Sequence, residues 1–122
     1  EWDSWQETWL EKLLRTAFAA NPDRPIFTDE AARLFKGKRM DTMRSMGFGS
    51  LALSSKSLVF KPSRGSDIVF NLDDIEGPGV LKWNFFEFYV GKTVYRIKFR
   101  SKSASGRKYA VALDLLTRMR GG

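Results

Sequence analysis

Leu81-Lys82-Trp83-Asn84-Phe85-Phe86-Glu87-Phe88-Tyr89-Val90, then Gly91-Lys92, then Thr93-Val94-Tyr95-Arg96-Ile97-Lys98-Phe99-Arg100 is the stretch on which the fold turns. Two runs rich in aromatic and β-branched residues flank a two-residue turn with glycine first, the pattern of a type II′ hairpin. So short a turn sets the register. It predicts Val90 opposite Thr93, Phe88 opposite Tyr95 and Phe86 opposite Ile97. On the other face it predicts Tyr89 with Val94, Glu87 with Arg96, Phe85 with Lys98 and Trp83 with Arg100. The second run alternates Tyr95, Ile97 and Phe99 with Arg96, Lys98 and Arg100. One face is therefore expected to be core. The other carries a basic row, with Glu87 as a cross-strand partner.

Gly91-Lys92-Thr93 also matches the end of a phosphate-binding loop. That motif requires another glycine five residues earlier and a helix afterwards. Position 86 is Phe and a strand pattern follows, so the hairpin reading stands.

The chain has 122 residues, enough for one domain with a modest core. Hydrophobic residues make up 43% and aromatics 14%, a composition that folds rather than stays disordered. The absence of Cys excludes disulfides and thiol chemistry, and the absence of His removes the usual general base and the commonest metal ligand. Lys and Arg number 21 against 14 Asp and Glu, a net charge of +7. Such a balance favours anionic partners: phospholipid head groups, nucleic acid or acidic proteins. No apolar run approaches the roughly 20 residues that span a membrane, so no transmembrane segment is expected. The chain begins at Glu1 rather than Met, which suggests a processed protein or a module of a longer parent.

Asp3 to Ala20 reads as a helix. Ser4-Trp5-Gln6-Glu7 fits a capping box. Trp2, Trp5, Trp9 and Leu13 form one stripe at helical spacing, widened by Leu10, Leu14 and Phe18. Glu11 and Arg15 are spaced to pair. The stripe packs either on the domain's own sheet or on the remainder of the parent chain. The polar face is mixed in charge, which argues against a membrane-surface helix. Asn21 to Pro25 is a loop, because Pro22 and Pro25 block helix continuation. Thr28 is expected to cap a short second helix, with Asp29 and Glu30 in its first turn, Ala31, Leu34 and Phe35 as its apolar side and Gly37 as its stop. Lys36 to Met46 fits either a strand or a further helical turn. Its methionines at 40, 43 and 46 suit core filling.

From Phe48 the pattern becomes β. If Ser55-Lys56 is a turn, Leu53 meets Leu58 and Leu51 meets Phe60. Asp67 to Leu72 reads as another strand, and Asp73 to Gly79 as an acidic turn. Asp73, Asp74 and Glu76 could hold a divalent cation through carboxylate oxygens. The Gly-Pro-Gly that follows favours an ordinary turn, and neither a metal nor a cofactor is expected. A polar connector, Lys102 to Gly106, leads to a final helix from Arg107 to Arg120. Tyr109, Ala112, Leu113, Leu116 and Met119 form its apolar face.

Several of these segments, in order, resemble the GRAM and bacterial PH-like families of the pleckstrin-homology superfold. Gly49-Ser50-Leu51-Ala52-Leu53-Ser54 followed by Ser57-Leu58-Val59-Phe60 looks like the "G-x-L-x-L-T … L-V-F" opening hairpin of those families. Ile68 to Ile75 looks like their "I-P-L-x-D-I" strand and turn, and Tyr95-Arg96-Ile97-Lys98-Phe99 like their "Y-x-F-x-F" strand. The resemblance implies an α+β fold: a PH-like antiparallel β-barrel or sandwich with a C-terminal capping helix. On this reading residues 47–120 are the β domain with its closing helix, and residues 1–46 are a helical N-terminal extension. The resemblance also implies a binding or targeting module rather than an enzyme, cytoplasmic and peripheral at a membrane. In lipid-binding PH domains the first β-hairpin holds inositol phosphates, and Lys56, Lys61 and Arg64 occupy roughly that region here. Lys98 and Arg100 on the basic strand are the second candidate set for an anionic head group.

Three partners follow: an anionic phospholipid surface, a protein or parent-chain segment docked through the Trp-rich helix, and nucleic acid. Nucleic acid weighs least; its support is Trp83 and Phe85 beside Lys98 and Arg100, which could stack bases or make plain cation–π contacts. No catalytic residue is assigned, because nothing stands ready to activate the plentiful serines.

Overall fold

The computed structural model describes residues 4–19, 25–38, 43–82, 84–100 and 105–121. Side chains at 4–7, 17–19, 105 and 119–121 lie outside that description. The expectations for Trp2, Met40 and Trp83, and for the side chains of Trp5, Phe18 and Met119, therefore fall outside it as well.

Among the described residues seven antiparallel strands form one sheet, with one helix before it in the chain and one after it. Helix α1 spans Ser4–Ala19 and α2 spans Ser105–Gly121. The strands are β1 Phe27–Lys38, β2 Arg44–Leu53, β3 Ser57–Pro62, β4 Ile68–Asn71, β5 Glu76–Lys82, β6 Phe85–Val90 and β7 Thr93–Phe99. A 3-10 turn, Leu72–Asp74, precedes β5. The spatial order is β4-β3-β2-β1-β7-β6-β5. Both long hairpins have the register their turns dictate. Val90 faces Thr93, Phe88 faces Tyr95, Phe86 faces Ile97 and Glu87 faces Arg96. Leu53 faces Leu58 and Leu51 faces Phe60. Gly91 takes a φ of 61°, the left-handed value its turn position needs. Glu87 accepts a 3.1 Å hydrogen bond from Arg96, as the cross-strand pairing predicts.

The sheet curls into a half-barrel. In strand order β4 stands far from β6 and β7, yet the ring of Phe70 on β4 lies 5.1 Å from that of Phe88 and 4.7 Å from that of Tyr95. Strong right-handed twist brings the ends together. Phe86, Phe88, Ile97 and Phe99 point to the inside with Leu34, Leu51, Leu58 and Phe60. Helix α2 packs onto β5, β6 and β7 and buries Tyr109, Ala112, Leu113 and Leu116 in the same core.

Residues 27–38 correct the sequence reading. They form a strand, not a short capped helix. Thr28, Asp29 and Glu30 lie in extended chain rather than in a helical first turn, and Gly37 pairs with Val94 instead of ending a helix. Strand β1 is central, with β2 on one side and β7 on the other. Its irregular pairing with β2 between Asp29 and Ala32, and again between Leu34 and Phe35, interrupts strict alternation. The apolar residues therefore fall at a spacing that mimics a helix. The expected acidic turn is likewise shorter: from Glu76 onward the chain is edge strand β5. Pro78 is tolerated there because an edge strand need not donate every N–H.

Helix α1 forms where its periodicity places it, and Glu11 pairs with Arg15 at 2.8 Å. Its packed face differs from the tryptophan stripe. Leu10 and Leu14 are fully buried against the core, Leu13 is half-buried, and Trp9 is 55% exposed.

Candidate functional site

The outer face of the sheet carries the clearest candidate site. Register alone puts Ser63, Phe48, Arg33, Lys98 and Phe85 in one row across five neighbouring strands and their ends. Phe48 faces Arg33, Arg33 faces Lys98, and Lys98 faces Phe85. The Ser63 amide donates to the Phe48 carbonyl at 2.9 Å and extends the row beyond β3.

The side chains on this row interlock. Arg33 donates from Nε to Ser45 Oγ at 2.9 Å. Its guanidinium carbon lies 5.0 Å from the ring centroids of both Phe35 and Phe48. Cation–π contact thus places the charged group over two rings. Phe35 in turn lies 6.2 Å from Phe85. Phe48 is 60% exposed, the largest exposure of any apolar aromatic side chain described.

Beside this row runs a groove of about 860 Å³, lined among others by Arg33, Phe48, Ser63, Lys98 and Arg100. Backbone bonds fix its walls. Arg100 donates its amide to Ala31 at 3.0 Å, and Phe99 donates to Asn84 at 2.7 Å. The Asn84 side chain returns a 2.8 Å bond to the Phe99 carbonyl. Three cations line the groove against one carboxylate, Glu30, so its potential is positive.

The five basic residues singled out from sequence do not form one site. Lys98 and Arg100 share the groove, and Arg64 follows Ser63 at its margin in an exposed loop. Lys61 is exposed on β3 opposite Ser50. Lys56 sits at the tip of the β2–β3 turn, at the other end of β3 from Arg64. A six-residue strand separates them, about 20 Å. The Ser54 hydroxyl, which accepts from the amides of Lys56 and Ser57, shapes that turn. Sequence reasoning missed Arg33 and Phe48. Arg33 pairs non-locally with Lys98 and stood in the segment read as a helix, and Phe48 lies opposite Arg33, so its row could not be drawn without β1.

Among the described residues no cluster of three His, Cys, Asp or Glu is arranged to hold a metal ion. Asp73 and Asp74 lie in the 3-10 turn, and Glu76 begins β5. No described helix is long and apolar enough to cross a membrane.

No protein-family model matches the chain. No curated protein matches it in sequence. Solved structures do share its fold. A chain of the 8S snRNP assembly intermediate superposes with a TM-score of 0.63 at 13% identity, covering 82% of this chain and 88% of that one. The N-terminal PH domain of human ARAP2 superposes with a TM-score of 0.53 at 16% identity, covering 76% and 81%. The curled seven-stranded half-barrel with its C-terminal helix is a PH-like fold. At these identities the likeness extends to the fold alone.

Proposed function

We propose that this chain is a non-catalytic, GRAM-type PH-like module that recruits its parent protein to an anionic membrane surface through the outer-face groove. The observation that carries this reading is the convergence of Arg33, Lys98 and Arg100 around the exposed ring of Phe48. Cations attract lipid head groups, and a protruding aromatic can enter the interface beside them. Each basic residue near an anionic leaflet contributes about 1 kcal/mol, within a Debye length of about 8 Å at physiological salt. A shallow positive groove therefore gives reversible, salt-sensitive attachment. The fold adds support, since PH-like domains serve as binding or targeting modules and are generally non-catalytic.

The test is liposome co-sedimentation over a salt series, with and without phosphatidylserine or a phosphoinositide. Binding that requires anionic lipid and weakens with salt supports the proposal. The double variant Lys98→Ala with Arg100→Ala removes two exposed charges and should weaken it by about tenfold or more. No binding at low salt, or binding indifferent to salt, would falsify the membrane reading.

A specific observation favours a second reading, docking on a protein partner or on the rest of the parent chain through α1. Trp9 stays 55% exposed while its neighbours Leu10 and Leu14 are buried. A large ring left wet on an otherwise packed helix suits an interface anchor. Under this reading the isolated chain, or the chain mixed with a parent segment, associates in sedimentation velocity, and Trp9→Ala abolishes the association.

A further inference from the structure

A second concavity, of about 520 Å³, lies where β5, α1 and α2 meet, and it shares no lining residue with the outer-face groove. Its walls are half apolar. Val111 and Leu115, four residues apart on α2, face Pro78 and Val80 of β5, and Val80 is 43% exposed. Four charged residues also line it. Asp114 is paired with Arg118 at 3.0 Å, and Glu11 with Arg15 at 2.8 Å. Arg107 differs. Its Nε is buried and is the one such side-chain atom without a hydrogen-bond partner among the described residues.

A buried guanidinium N–H with no acceptor carries an unrecovered desolvation cost. Arg107 precedes Val111 by one helical turn, so the three residues at 107, 111 and 115 stand on one face. A cationic head site therefore continues into an apolar strip. The charge balance narrows the ligand. Among the described residues both carboxylates in the pocket already have arginine partners, which leaves Arg107 as the one lining cation to match. A monoanion fits that balance. A dianionic phosphate would place a second negative charge near Glu11 and Asp114, which repel it. The volume falls in the range of small-molecule sites.

We propose that this pocket binds a small monocarboxylate with an apolar tail, its head on Arg107 and its tail along Val111, Leu115 and Val80. The carboxylate would pair with the guanidinium of Arg107 where that residue lines the cavity, and the tail would cover apolar surface now partly open to water.

Octanoate is the probe, titrated into the isotopically labelled chain and followed by amide chemical shifts. Octanol and octyl phosphate are the comparators. Saturable octanoate binding with shifts in β5 and α2, on the order of tenfold tighter than either comparator, is expected from a charge-assisted hydrogen bond. Arg107→Gln should bring octanoate down to the level of octanol. Gly79→Val supplies a second variant, at a position distinct from Arg107. A Cβ at position 79 meets nothing nearer than the Gly77 carbonyl at 3.9 Å, so a side chain can begin there without a backbone clash, and the methyls of valine add bulk at a residue that lines the pocket. It should abolish binding with amide dispersion intact. Lys98→Ala with Arg100→Ala should leave octanoate binding unchanged, which separates this pocket from the membrane reading. Absence of saturable binding, equal affinity for octanol, preference for octyl phosphate, or full binding by Arg107→Gln would each overturn the proposal.

Discussion

Tyr109 donates a 2.6 Å hydrogen bond from its hydroxyl to Asp29, eighty residues earlier in the chain. The bond ties α2 to the central strand β1. The Tyr109 ring is fully buried, stacked at 5.8 Å on Phe86 and at 5.1 Å on Phe99. Lys108 reaches the same carboxylate oxygen of Asp29 at 3.6 Å and lies 4.6 Å from the centroid of Phe27. Burial, and then the hydrogen bond to Asp29 and its negative charge, push the hydroxyl's pKa far above its ordinary value.

Removing the hydroxyl should therefore cost stability in a pH-dependent way. Tyr109→Phe is expected to lose about 1.5–3 kcal/mol at neutral pH, the range for a hydrogen bond to a charged group. The sign of the alkaline effect follows from linkage. The folded pKa lies above the unfolded value of about 10, so the contribution is complete below that pH. It is lost as pH rises further, because the unfolded chain releases a proton that the folded chain keeps. Urea melts from pH 8 to 11 should show wild type losing stability faster than Tyr109→Phe. Parallel curves would refute the assignment.

Helix α1 offers a comparison between adjacent residues. Leu10→Ala and Leu14→Ala should each cost about 2–5 kcal/mol, because both side chains are completely enclosed. Trp9→Ala should cost about 0.5 kcal/mol or less, as for an exposed site. A large loss at Trp9 with small losses at the leucines, measured by chemical denaturation, would reverse the packing described for this helix.

Leu116 tests the closing helix. It is fully buried in the common core, and Leu116→Ala should cost about 2–5 kcal/mol. A cost near zero would mean that α2 does not seal the half-barrel.

Gly49 marks a close strand approach. A Cβ there would run into the Lys61 carbonyl oxygen and lie only 2.7 Å from Pro62 Cα, both backbone atoms. Gly49→Ala should therefore destabilise by about 1–3 kcal/mol through strand displacement. A neutral or stabilising effect in thermal melts would show that β2 and β3 can separate there at no cost.

Position separates the basic residues in function. Lys56 stands at the far end of β3 from the groove, so Lys56→Ala should change liposome affinity by about twofold or less. Lys98→Ala with Arg100→Ala should change it by about tenfold or more. Equal effects, read by co-sedimentation at fixed salt, would mean that net charge rather than the groove governs attachment.

What could be read in the sequence was local. A two-residue turn and strict alternation fixed the β6–β7 register down to the Glu87–Arg96 pair. The same logic paired Leu51 with Phe60 across Ser55-Lys56, and helical spacing marked Tyr109, Leu113 and Leu116 as a buried face. In each case residues close along the chain constrain one another, and their pattern survives folding. Strand β1 was not legible. Its Asp-Glu-Ala-Ala run has weak β-propensity, and its interrupted alternation imitates a helix, so pairing with β2 and β7 overrode the local preference. The face that α1 buries was decided the same way, since tryptophans and leucines were equally apolar until the neighbouring core fitted Leu10 and Leu14. Lys98 and Arg100 of the outer-face groove were legible on the basic strand, but its assembly belongs to the tertiary structure. Arg33, Phe48 and Lys98 come from three strands, and only the closure of β1 between β2 and β7 sets their side chains in one row.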